Sequence, residues 1–107
     1  MLIEAPYKVG DIITIKMVSG EELVGKLEEE NDQHIKVKTP LTLVASQQGI
    51  GLQPFLFTAE LEKSYRIKQS AITLVTITKK EFADGYSQQM SGLVTAPAGL
   101  GDMLKTK

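Results

Sequence analysis

The chain has no cysteine. That excludes disulfides and thiolate metal sites. It has one histidine, so a paired-histidine metal site cannot form within one copy, and no metal or other cofactor is expected. Long apolar runs are missing as well. None approaches the roughly 20 residues that a helix needs to cross a bilayer, and no membrane association is expected. The start, MLIEAPYKVGD, carries acids and a proline where a signal peptide carries a basic and then an apolar stretch. These absences predict a soluble, cytoplasmic protein. An excess of one charge is missing too: the formal net charge is −1. Phosphate affinity comes mostly from clustered Lys and Arg, so a polyanion site here has to be local. Catalytic motifs are absent. There is no G-x-S-x-G, and GIGL lacks both the third glycine and the Lys-Ser/Thr of a phosphate loop. Glu28, Glu29, Glu30 and Asp32 lack the glycine and spacing of an EF-hand and suit a solvated turn. No enzyme activity is expected.

What is there is alternation. The 107 residues suit one domain, and 42% apolar with 23% charged residues argues against disorder. Ile13, Ile15 and Met17 fall on one face and Thr14 and Lys16 on the other; Ser19-Gly20 then offers a turn. Leu23, Gly25 and Leu27 alternate with Glu22, Lys26 and Glu28, and Val24 is the exception. After the polar turn EEENDQ, Ile35, Val37, Leu41, Leu43 and Ala45 alternate with His34, Lys36, Lys38 and Thr42. Pro40 marks an edge or a bulge in that run.

QQGIGLQP reads as a break. Beyond it, Phe55, Phe57, Ala59, Leu61, Tyr65 and Ile67 alternate with Thr58, Glu60, Glu62, Ser64, Arg66 and Lys68. Two long runs around a glycine-rich break predict an extended hairpin of strands three and four. The last strand, ITLVTI from Ile72 to Ile77, is apolar on both faces. It needs a cover for its second face and a partner for its edge, and a neighbouring copy would supply both. Five such strands predict a small, strongly bent antiparallel β-barrel over residues 1–78, with Gly25 permitting a sharp bend. Phe82, Tyr86, Met90 and Leu93 recur at helical spacing, which predicts a helix over 79–93 with Thr78 as N-cap. Residues 94–107 are small and Gly- and Pro-containing, the composition of a mobile tail.

The stretch ITIKMVSGEELVGKLEEENDQHIKVKTP resembles the first motif of Sm and Sm-like proteins. Gly20, Glu22, Leu23, Val24, Gly25 and Leu27 fill its places in order. RIKQSAITLVTI is similar to the second motif in its bacterial Hfq form, with Ala71 and Ile72 at the Ala-Ile pair. The resemblance covers about 65 residues and implies an Sm-like barrel. It implies a homo-oligomeric ring in which the fourth strand of one copy pairs with the fifth of the next. It also implies binding of single-stranded, often U-rich, RNA near the pore. The site residues it implies are Asn31 and His34 in the loop between strands two and three, and Lys68, Gln69 and Ser70 between strands four and five. Gln69-Ser70 departs from the basic residues of either family form, and the first loop is one residue short.

His34 can stack on a base, Lys68 can neutralise a phosphate, and Gln69 and Ser70 can read base edges. A ring would multiply such weak contacts. Lys16, Lys26, Lys36, Lys38 and Arg66 share a strand parity, but interleaved with Glu22 and Glu28 they read as an ordinary solvated face. Two functions stay open: a ring that binds single-stranded RNA, and a ring or barrel that serves as a protein–protein scaffold.

Overall fold

The computed structural model describes residues 7–95. It holds β1 (Ile12–Met17), β2 (Glu22–Glu30), β3 (His34–Ser46), β4 (Gly49–Pro54), β5 (Ser64–Lys68), β6 (Ile72–Ile77) and α1 (Lys80–Thr95), with a 3-10 turn at Gln69–Ala71. The class is mostly antiparallel β with one C-terminal helix, as the alternation predicts. The sheet is not the closed five-stranded barrel expected. It is open and has six strands in the order β4-β3-β2-β1-β6, with β5 also on β3.

The extra strand comes from the segment expected to be a break. β3 turns into β4 through Gln47 and Gln48, and Ser46 lies opposite Gly49. Gly49 has φ of +119°, a conformation open to glycine and rarely to other residues. The far edge of β3 is therefore divided: Leu41 to Ser46 pair with β4, and His34 to Lys38 pair with β5. Phe55 to Lys63 forms no strand, so its alternation is not expressed as one. Its two ends are fastened to β3, where the Phe55 N–H donates to Pro40 O at 3.0 Å and the Thr39 N–H to Lys63 O at 2.9 Å.

Those two anchors are a bulge. Val24 lies opposite Leu41 and Lys26 opposite Lys38, so Gly25 alone faces Thr39 and Pro40. A Cβ on Gly25 would lie 3.3 Å from the Lys38 carbonyl oxygen and 3.4 Å from Val37 Cβ. Thr39 takes φ of +46°. Pro40, which has no N–H to donate, sits where the ladder is interrupted, as its position in the run suggests. The extra residue interchanges the faces of β3. Ile35 and Val37 join Ile13, Ile15, Met17, Leu23 and Leu27 in a first core. Leu41 points to the opposite side and joins Val24 and Tyr86 in a second. Val24, the exception in its strand, is thus the β2 residue that the second core requires.

α1 covers that second core. Tyr86 and Met90 pack there, with Leu43, Leu52 and Leu61 around them. The Tyr86 hydroxyl donates to Lys38 O at 2.6 Å, and Gln89 Nε2 donates to Leu52 O at 3.1 Å. Burial pushes the Tyr86 phenol up to about 12. Thr78 does not cap the helix with its side chain. Its hydroxyl pairs with that of Thr14 at 2.9 Å, and the Lys79 carbonyl accepts the first helical N–H, from Ala83. Leu93 lies in the helical span; most of the expected tail, residues 96–107, lies outside the described residues. Among the described residues no helix is long and apolar enough to cross a membrane.

On β6, Ile72 and Val75 pack on the first core, whereas Leu74 is 51% and Ile77 47% exposed. β6 pairs with β1 on one edge, and among the described residues nothing pairs with the other.

Two substitutions test this account. Gly25→Val should cost about 1–3 kcal/mol in urea unfolding, because the added carbons meet backbone at the bulge. Tyr86→Phe should cost about 1–2 kcal/mol by removing the donor to Lys38 O. The phenol is raised above its ordinary 10.0. Its contribution is therefore full below pH 10 and is lost as pH rises toward 12, so the gap between wild type and Tyr86→Phe should narrow over that window.

Candidate nucleic-acid interface

The candidate residues meet where the β2–β3 turn approaches the β5–β6 connection. Asn31 shapes the turn. Its Oδ1 accepts the N–H groups of Gln33 at 2.8 Å and His34 at 2.9 Å, and its own N–H donates to His34 O at 2.9 Å. This is an Asx turn, in which a side-chain oxygen replaces a backbone acceptor. It delivers His34 as the first residue of β3. The β3–β5 ladder then sets His34 opposite Lys68 and Lys36 opposite Arg66. Directly opposed residues share a face of the sheet.

Gln69 ties the second loop to the first. Its N–H donates to Gln33 O at 3.0 Å, and its Nε2 donates to Asn31 O at 2.9 Å and approaches Glu30 Oε2 at 3.4 Å. The Tyr7 hydroxyl donates to the same Glu30 carboxylate at 3.1 Å. Burial, and then the Glu30 bond and charge, raise the Tyr7 phenol above its ordinary range. The His34 ring is held at its edge, with Nε2 3.6 Å from Glu29 Oε2 and 3.5 Å from Asn31 Nδ2.

The result is an open groove of about 650 Å3, lined by His34, Lys68, Gln69 and Ser70 together with Asp32, Gln33 and Arg66. Four of the five residues picked out in the sequence therefore line one groove. Asn31 does not line it; its side chain builds the turn. Gln69 lines it, yet its amide N–H groups are turned on the neighbouring loop and not free to read a base. Lys68 and Ser70 are exposed. Arg66, not among the five, adds a second cation; its place two residues before Lys68, on the same face of one strand, is the signal that points to it. Chemically the groove offers two cations for phosphate, an imidazole face for stacking, and small donors and acceptors for base edges. Compared with known protein families and with curated proteins, the chain matches none.

Asn31→Ala should free the Gln33 and His34 N–H groups. Stability should fall by about 1 kcal/mol, as for loss of a capping side chain. Amide exchange should speed up at those two residues ahead of the rest of β3.

Proposed function

We propose that this is an Sm-like protein that assembles as a homo-oligomeric ring and binds single-stranded, U-rich RNA in the groove at His34 and Lys68. The observation that carries the reading is the cross-strand pairing of His34 with Lys68, which gathers a stacking ring, two cations and the polar Ser70 in one groove. Stacking on His34 with phosphates on Lys68 and Arg66 is the chemistry of sequence-tolerant single-strand binding. The order of the two Sm-like motifs along the chain supports the same reading.

The ring forms when the free edge of β5 in one copy pairs with the free edge of β6 in the next. Such pairing would satisfy both edges and cover Leu74 and Ile77. It would also bring several grooves together, so that each weak contact is repeated along one RNA strand. The rival role, a protein–protein scaffold, draws on the same exposed side chains and on Phe57, which is 81% exposed.

Titration of labelled oligo-U against protein of measured solution mass separates the two roles. RNA binding predicts retention at about 0.1 M salt and release as salt rises. His34→Ala and Lys68→Gln should each weaken retention severalfold while the ring stays intact. An intact ring that retains no oligo-U would leave the scaffold. Leu74→Asp should lower the mass in solution to that of a single chain if β6 forms the joint.

A further inference from the structure

We propose that the outward face of β3 and β5 is a phosphate track that carries single-stranded RNA out of the groove and along the sheet toward Lys26. This rests on the RNA-binding reading above and adds a second contact surface to it.

The track is visible in the register. Three successive rows cross β3 and β5: His34 with Lys68, Lys36 with Arg66, and Lys38 with Ser64. On the other side of β3, Lys38 faces Lys26 of β2, and Lys36 faces Glu29. Like charges therefore stand directly opposite each other twice, at Lys36–Arg66 and at Lys38–Lys26. Direct opposition of like charges destabilises a sheet.

Two carboxylates of β2, Glu28 and Glu29, flank these rows. Glu28 accepts a hydrogen bond from the Ser64 hydroxyl, and Glu29 lies beside His34. Among the described residues, Lys26, Lys36, Lys38, Arg66 and Lys68 form no ion pair within 4.0 Å.

The occupant follows from continuity and spacing. His34, Arg66 and Lys68 belong both to the track and to the groove. A ligand leaving the groove meets the next cation one row further on. Rows two residues apart along a strand are separated by roughly 6.5–7 Å, comparable to successive phosphates of an extended strand. Lys and Arg on such a path act on the backbone and carry no base preference. The groove would thus stack and orient, and the track would add affinity with length.

The test uses the intact ring and oligo-U of about 5 and about 15 nucleotides, within the span of known single-strand sites. The doubly substituted Lys36→Gln/Lys38→Gln protein should bind the long oligomer about tenfold more weakly. It should bind the short one within about twofold of wild type. Its salt slope on the long oligomer should fall by about 1.4, at about 0.7 per phosphate contact. Lys36→Arg/Lys38→Arg should behave as wild type. Equal loss on both lengths, or no loss on either while His34→Ala weakens both, overturns the track and leaves the groove. Failure of the wild-type ring to retain either oligomer overturns the RNA reading and the track together. Retention of poly-glutamate in place of oligo-U overturns the track in favour of an acidic protein partner.

Discussion

Gly25 stands opposite two residues, Thr39 and Pro40, and the rest of the fold depends on that mismatch. The close approach of the Lys38 carbonyl leaves little room for a side chain at position 25. The extra residue on β3 interchanges its faces, so a single strand feeds two cores. The first joins Ile35 and Val37 to residues of β1 and β2. The second exists because Leu41 emerges on the other side, where Val24 and the helix meet it. The bulge also supplies the two anchors of the Phe55–Lys63 excursion and divides the far edge of β3 between β4 and β5. The helix returns to the same place: Tyr86 donates to Lys38 O, beside the bulge.

The division of β3 is what makes a site. Because β5 takes only His34 to Lys38, its last residue meets the first residue of β3, and the two loops at that end lie side by side. Asn31 and Gln69 then bond the loops to each other. Their contribution is rigidity, which keeps His34, Arg66 and Lys68 at fixed separations and lowers the entropic cost of ordering a ligand there. The net charge of the whole chain hides this arrangement. Positive side chains collect along β3 and β5, while the carboxylates of the β2 end are engaged with Ser64, His34, Gln69 and Tyr7.

Much of the first half was legible in the residues. The alternation of β1, β2 and β3 marks their spans, Pro40 marks the bulge, and the apolar second face of β6 marks an uncovered surface. The interchange of faces in β3 was not legible, because Ile35, Val37, Leu41 and Leu43 alternate without a break across it. Val24 was the one visible sign. β4 was hidden by its glycines, which favour a turn locally; pairing with β3 overrides that preference. Phe55 to Lys63 shows the converse, an alternating stretch that does not form a strand. At the site, the Sm-like resemblance pointed to Asn31, His34, Lys68, Gln69 and Ser70. The roles of Asn31 and Gln69 were not readable, since their hydrogen bonds depend on where the other loop lies.

The central claim is that RNA enters the groove between His34 and Lys68. The most direct measurement is the change in backbone amide NMR signals on adding oligo-U to the isotope-labelled protein. The account predicts that shifts begin at His34, Arg66 and Lys68 to Ser70 and leave the Tyr86 face of α1 unchanged. Shifts centred on α1, or a spectrum unaltered by saturating oligo-U, would contradict it.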